Sequence, residues 1–300
     1  MRAVQIDRFG SLDVLGLVSA SPPEPKDGEV LVRTVATSLN PVDVKTREGV
    51  FGETTPLPAT LGWDLAGIVV EGARSGLRTG DRVIAMSHQL ADGRGTWADL
   101  VAVPARAVAP APAAASLMEA ATLPLAGLTA LQSLDWLGLS AGQRLLVTGA
   151  GGAVGGNALQ IARARGIEVD ALVSRDEQVA PALEHGAGTA TADRRELRSR
   201  AYDAVFDTFG AFTTEAVADG GRYLSVATQA GPIPDLSSRG VETVVNQVRE
   251  DGAGLRELAR LVDDGSLRPR VHAVFGLGEI RAAHERLQGG GLNGKIVVVF

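Results

Sequence analysis

Along the first hundred residues the apolar positions come in short runs, each closed by Pro, Gly or Asp, which is how strands separated by turns are written. Strands are expected at residues 2–6, 29–36, 65–71, 82–86 and 96–103, with Pro22-Pro23, Pro56, Pro58 and Gly80-Asp81 between them. This half reads as a small barrel or sandwich. Residues 104–116 (PARAVAPAPAAAS) are rich in Ala and Pro and carry a single charge, so they read as an ordered crossing segment and a domain boundary.

From residue 117 the period changes. A helical stretch at 117–136 leads to an apolar strand at 143–148, a glycine cluster and a helix at 153–165. There follow a strand at 168–173, a helix at 176–185, a strand at 202–207, a helix at 213–218 and a strand at 222–227. Such alternation predicts a parallel sheet covered by helices on both faces, a doubly wound α/β domain. The tail gives a helix at 255–263, a strand at 271–275, a helix at 279–288 and a last strand at 295–300. No solenoid repeat interrupts this order.

Composition narrows the chemistry. The chain of 300 residues is long enough for two domains, and 45% hydrophobic with 21% charged residues describes a globular protein. It contains no Cys, which removes disulfides, thiolate nucleophiles and sulfur-bound metals. The four His residues, His88, His185, His272 and His284, are scattered without a metal-binding spacing, so no metal site is expected. Basic residues number 29 against 35 acidic ones, a net charge of −6, and the charges are dispersed. That pattern argues against nucleic acid and membrane surfaces and leaves a small molecule as the expected partner. The start, MRAVQIDR, carries charges where a signal peptide needs an apolar run, and a cytoplasmic location is expected.

The segment from Thr148 through Gly149, Gly151, Gly152, Ala153 and Val154 to Gly155 lies between a predicted strand and a predicted helix. In that context glycines let the chain turn sharply and let a pyrophosphate approach the backbone, while the N-terminus of the helix stabilises its charge. No Gly-Lys-Ser/Thr follows, so an NTP-hydrolysing loop is excluded and a dinucleotide is the expected ligand. At the end of the second strand, where a carboxylate would bind the ribose 2′-OH of NAD, the chain reads Val173-Ser174-Arg175. Ser174 can donate to a 2′-phosphate and Arg175 can pair with it, which favours NADPH. The missing acid also counts against a methyltransferase.

Further motifs carry a resemblance. Residues 40–49, NPVDVKTREG, residues 61–67, LGWDLAG, residues 80–83, GDRV, and residues 294–298, GKIVV, together resemble the zinc-free quinone oxidoreductase (zeta-crystallin-like) branch of the medium-chain dehydrogenase/reductase superfamily. The resemblance runs along essentially the whole chain. It implies a β-rich GroES-like catalytic domain over residues 1–110 with 266–300, and a doubly wound Rossmann NADP-binding domain over 111–265, with the active site in the cleft between them and a homodimer as the usual assembly. Where zinc-bearing relatives have Gly-His-Glu this chain has Gly62-Trp63-Asp64, and it has no Cys. Without a Lewis acid, alkoxide chemistry loses its support, and reduction of a quinone or an α,β-unsaturated carbonyl is the expected reaction. The alternatives are an enoyl-thioester reductase and a non-catalytic NADPH-binding sensor or structural protein.

By the same resemblance Asn40 is expected beside the nicotinamide or the acceptor carbonyl, offering an amide donor, with an Asx turn before Pro41 as its structural alternative. Lys45 is a candidate to polarise a carbonyl or give a proton. Solvent, or a salt bridge of Lys45 to Asp43 or Glu48, is the competing reading. Thr129, Thr208, Phe209, Val226 and Ala227 are expected on the nicotinamide side, several of them at strand carboxyl ends where open α/β sheets collect ligands. Asp207 reads as a structural carboxylate. Asn293 is expected to touch the cofactor by analogy, and Lys295 either does so or guards a strand edge. Trp63 is expected to make the site apolar, the loops at 51–58 and 87–95 to set specificity, and residues 241–245 to form the dimer edge.

Overall fold

The computed structural model describes residues 1–52, 55–72, 76–227 and 230–300, so part of the 51–58 loop lies outside the described residues. The chain divides into two compact units. The first comprises Met1–Leu125, Arg249–Asp264 and Pro269–Phe300, the second Ala126–Val248 and Gly265–Arg268. The expected boundaries at 110 and 265 differ from this division. Residues 111–125 and the helix of the 249–264 segment belong with the first unit.

The first unit opens with β1 (Arg2–Ile6), β2 (Gly16–Ser19) and β3 (Glu29–Ser38), then helix α1 (Pro41–Arg47), β4 (Ala59–Thr60) and β5 (Asp64–Glu71). It continues with β6 (Arg82–Met86), β7 (Leu100–Pro104), β8 (Val108–Pro110) and the short helix α2 (Leu117–Ala120). The second unit holds most of α3 (Pro124–Leu137), then β9 (Arg144–Thr148), α4 (Ala153–Ala164), β10 (Glu168–Leu172), α5 (Val179–Glu184), β11 (Ala190–Thr191), β12 (Tyr202–Asp207), β13 (Val217–Ser225) and β14 (Glu242–Val245). The chain then returns to the first unit with α6 (Gly252–Asp263), β15 (Val271–Gly276), α7 (Ile280–Gln288) and β16 (Lys295–Val299).

In the first unit β2, β1 and β4 form one sheet, and a seven-stranded sheet runs β15-β16-β3-β5-β6-β8 with β7 also on β3. Strand alternation sends Val30, Val32, Leu65, Val69, Val83, Val101 and Val103 into one apolar cluster. A second cluster gathers Ile6, Leu39, Leu61, Trp97, Ile296 and Val298 under Ile280 and Ala283 of α7. Helix α6 packs on β8, which is why its segment joins this unit. The cap of α6 is Asp251, whose carboxylate accepts the N–H groups of Ala253 and Gly254 at 2.9 Å.

The second unit is a six-stranded parallel sheet in the order β11-β10-β9-β12-β13-β14. Strand β9 at its centre is buried on both faces, as a continuous apolar run requires. Three sequence expectations are corrected here. The helix at 117–136 is broken into α2 and α3 because Pro124 cannot donate and disfavours helical backbone at Leu123. Residues 96–99 precede β7 outside any strand, with Thr96 and Trp97 donating to the carbonyls of Gly62 and Leu61. The helix at 213–218 does not form. Two Thr and a Val between Gly210 and Gly220-Gly221 are too short and too β-branched to nucleate one, and Val217 instead opens β13 beside Tyr202. Among the described residues no helix is long and apolar enough to cross a membrane.

Candidate active site

The glycine turn of the second unit is built as its spacing predicts. Gly149 sits at φ +67°, where a Cβ would meet Thr208 Oγ1 at 2.5 Å and Phe209 Cβ at 2.9 Å. A Cβ on Gly155 would meet the Gly149 carbonyl oxygen at 2.5 Å and Ala150 Cα at 2.7 Å, so the third glycine lets α4 press onto the turn. Gly152 is the extended N-cap of α4, and Ala153 and Val154 form its first turn, whose backbone N–H groups suit an anion. The side chain of Gln178 lies over Gly151, 2.5 Å from where its Cβ would be, and its Oε1 accepts from Ser174 N at 3.1 Å and Ser174 Oγ at 2.9 Å. Gln178 thus ties the end of the second strand to the turn, a link the sequence did not signal.

Ser174 and Arg175 follow β10 with no carboxylate at its end. The Arg175 side chain is 40% exposed, and its Nε stands 2.6 Å from Glu177 Oε1, a neighbour that a phosphate can replace. Asp207 at the end of β12 is structural, as expected. Its Oδ1 accepts from Thr148 Oγ1 at 2.5 Å and from the N–H groups of Phe209, Gly210 and Ala211, and its Oδ2 from Tyr223 OH at 2.7 Å and Phe212 N at 3.0 Å. These donors hold its carboxyl below the usual range although burial opposes them, and burial with the Asp207 charge pushes the Tyr223 phenol up. The same turn holds Thr208, whose hydroxyl donates to the Thr148 carbonyl at 2.7 Å, and leaves Phe209 65% exposed. Val226 N donates to the Asp207 carbonyl at 3.1 Å and Ala227 N to Ser225 Oγ at 3.1 Å. Thr129 is buried on α3. Asn293, the remaining expected cofactor residue, precedes β16. It lies in the first unit, its Oδ1 accepting from Arg270 Nη1 at 2.9 Å.

The first unit concentrates buried charge around the start of α1. Asp64 is fully buried, and its Oδ2 accepts from Ser38 Oγ at 2.5 Å and Asn40 Nδ2 at 2.9 Å and stands 3.2 Å from Lys295 Nζ. Its Oδ1 accepts from Leu125 N at 2.7 Å. Lys295 also donates to Asn40 Oδ1. Both ends of the Asn40 carboxamide are therefore engaged inside the protein, and at 1% exposure Asn40 is a fixed link between Asp64 and Lys295, which differs from the expected oxyanion donor. Strand β16 is internal, between β15 and β3, so Lys295 guards no edge.

Asp43, also fully buried, turns from solvent to accept Asn40 N at 2.8 Å, with Gln89 Nε2 3.4 Å from its other oxygen. Burial, with the nearby Asp64 charge, pushes its carboxyl up to about 7, although the Asn40 N–H pulls the other way. The sequence suggested Asp43 as a partner of Lys45, and the bonds that hold its carboxyl come from Asn40 N and Gln89. Glu48, the other expected partner, pairs with Arg47. Lys45 is half-buried, and burial lowers its ammonium below the ordinary lysine value. Trp63 is buried and packs edge-on against the His88 ring, centroids 4.8 Å apart. Among the described residues no group of three His, Cys, Asp or Glu is placed to hold a metal.

Asp43, Asp64, Gln89 and Gln178 were missed as a set. The available signal was Asp64 itself, a lone carboxylate inside the apolar run LGWDLAGIVV, which must find donors when that run is buried.

Two family models match the chain, an alcohol dehydrogenase GroES-like domain over residues 26–113 and a zinc-binding dehydrogenase domain over residues 174–298. The 2-methylene-furan-3-one reductase of Solanum lycopersicum is 34% identical over 99% of this chain and 79% of its own length. The chloroplastic NADPH-dependent alkenal/one oxidoreductase of Arabidopsis thaliana is 32% identical over the same shares. The quinone oxidoreductase structure from Coxiella burnetii superposes with a TM-score of 0.88 at 28% identity, covering 100% of this chain and 99% of that one. The chain belongs to the medium-chain dehydrogenase/reductase superfamily, in its zinc-free quinone oxidoreductase branch. As such it is an oxidoreductase, and its glycine turn fits a nicotinamide dinucleotide.

Proposed function

We propose that the protein reduces quinones or α,β-unsaturated carbonyls at the expense of NADPH. The observation that carries the cofactor choice is the end of β10, where Ser174 and Arg175 stand in place of a ribose-binding carboxylate. The named activities of the relatives support the acceptor class. When bound, NADPH supplies a hydride to the β-carbon of an enone or to a quinone, and a proton completes the product.

The chain's own residues bind and orient. The turn of Gly149, Gly151 and Gly152 with Ala153 and Val154 holds the pyrophosphate, Ser174 and Arg175 the 2′-phosphate, and Thr208, Phe209, Val226 and Ala227 with Thr129 the nicotinamide side. Lys45 is the group of α1 that can polarise a carbonyl, its proton passing from the ammonium or from solvent. Asn293 keeps its expected place among the cofactor residues in this reading, its carboxamide oxygen accepting from Arg270. We further propose a cytoplasmic homodimer joined through β14, the outer strand of its sheet, to be checked by light scattering.

The test is oxidation of NADPH, and of NADH in parallel, against simple quinones, 2-alkenals and enoyl-CoA esters, with and without a chelator. Turnover of quinones or enals with NADPH, unaffected by the chelator, is expected. Turnover of the CoA esters alone would move the assignment to an enoyl-thioester reductase. Cofactor binding without any turnover would make the protein a sensor.

A further inference from the structure

The turn after β10 engages its own donors. Of the two residues read as binding a 2′-phosphate, Arg175 has its Nε 2.6 Å from Glu177 Oε1. Ser174 gives both its N–H and its hydroxyl proton to Gln178 Oε1, at 3.1 Å and 2.9 Å. Glu177 and Gln178 are neighbours in the turn Asp176–Gln178, and Gln178 N donates to the Arg175 carbonyl at 3.0 Å. A carboxamide oxygen that takes a backbone N–H and a hydroxyl together does what a phosphate oxygen does at such a turn. Each of these donors has a single proton, so neither serves Gln178 and a nucleotide at once.

The same carboxamide makes a second, independent contact. A Cβ on Gly151 would meet Gln178 Nε2 at 2.5 Å, Cδ at 2.6 Å and Oε1 at 3.0 Å, so the group fills the space this glycine leaves by having no side chain. In a dinucleotide-binding turn that space lets a pyrophosphate come down onto the backbone. Gln178 thus covers two contact points of the proposed cofactor, the glycine turn and the 2′ end. Scaffolding is a poor account of this arrangement. Ser174 is exposed, and water can satisfy its donors without the cost of fixing a long side chain. A contact that water can replace is also one that a phosphate can replace.

We infer that Gln178 sets cofactor affinity as an internal competitor: in the free protein its carboxamide occupies the places of the dinucleotide at Gly151 and Ser174, and it leaves both when the dinucleotide binds. The inference rests on the reading of this turn, with Ser174, as the cofactor site. Its consequence is thermodynamic. NADPH and NADH displace the same group, so Gln178 weakens both by one common factor, set by the fraction of molecules in which the carboxamide is already away. Choice between the two nucleotides stays with Ser174 and Arg175 and the charge-assisted bonds a 2′-phosphate makes there. A side chain that touched the bound cofactor would act in the opposite direction, and its removal would cost affinity.

Isothermal titration calorimetry of NADPH and of NADH, with no acceptor present, compares the wild type with Q178A and Q178M. Q178A removes the group, and Q178M keeps its length but loses the amide acceptor. Both variants are expected to bind each nucleotide about threefold to thirtyfold tighter, the worth of one or two net hydrogen bonds, with the same factor for NADPH and NADH. Unchanged or weaker binding in Q178A overturns the inference, since Gln178 is then a bystander or a contact of the bound cofactor. Wild-type affinity in Q178M overturns it as well, because the bonds to Ser174 then hold nothing back. Amide NMR of nitrogen-labelled protein without nucleotide judges the free state. The Ser174 signal is expected to move in both variants, and an unmoved signal refutes the contact whatever the affinities. Failure of the wild type and both variants to bind either nucleotide strikes the cofactor reading itself, and the inference with it, an outcome distinct from binding that does not tighten.

Discussion

The ammonium of Lys295 stands 3.2 Å from Oδ2 of Asp64, and neither side chain is more than 6% exposed. A strand near the end of the chain thereby delivers the cation for a carboxylate of β5, and Asn40 is clamped between them. Removing one partner strands the other without water. K295M is expected to cost about 3–5 kcal/mol in urea unfolding, and the double variant D64N/K295M to recover much of it. Equal stability of the single and double variants would show that the pair does not act as a unit.

Cofactor choice is expected to lie with Arg175. R175D removes a charge-assisted contact to the 2′-phosphate, worth about 1.5–3 kcal/mol, so kcat/KM for NADPH is expected to fall about tenfold to a hundredfold while that for NADH holds or rises. Parallel assays with the two cofactors measure the ratio. E177Q, which frees the guanidinium from its neighbour, is expected to move the ratio the other way.

Gly155 has no room for a side chain. In G155V the new Cβ would run into the Gly149 carbonyl and Ala150 Cα, both backbone atoms, so α4 must back away from the turn. Dinucleotide affinity, read by fluorescence titration, is expected to fall at least tenfold, with a lowered Tm.

Acid sensitivity is expected to come from His284. The ring is fully buried, its Nδ1 3.4 Å from Arg47 Nη1, and burial with the Arg47 charge lowers its pKa to about 3. A group whose folded pKa is depressed below its ordinary 6.5 contributes its full stability above pH 6.5, and loses it as pH falls from there toward about 3. Over that window stability is expected to drop by up to about 1.4 kcal/mol per pH unit. H284F should flatten the slope, measured by urea unfolding across the acid range.

Much of the molecule was legible because local signals and tertiary packing agree. The glycine turn announced itself by standing between β9 and α4, and Ser174 with Arg175 by replacing an acid. The Arg47–His284 contact and the Lys295 clamp were not legible, since each joins residues far apart in the chain whose types favour the surface. The helix expected at 213–218 is absent for a related reason. Its short, β-branched run favours no helix of its own, Asp207 takes up the preceding backbone N–H groups, and β12 pairs with Val217. Gln178 was invisible because a single glutamine after a strand carries no pattern at all.

The Asp207 carboxylate grips the turn from Phe209 to Phe212 by its main chain, and none of those four bonds depends on which side chain the turn displays. At position 209 structural constraint and surface chemistry are thereby uncoupled, whereas Gly210, at φ +87°, has no room for a side chain. Phe209 can be exchanged for a polar, small or charged residue without loosening the bend, whereas a proline at 209 through 212 would delete a donor. The turn is a socket in which sequence drift can try new faces beside the glycine cluster while the frame beneath stays still.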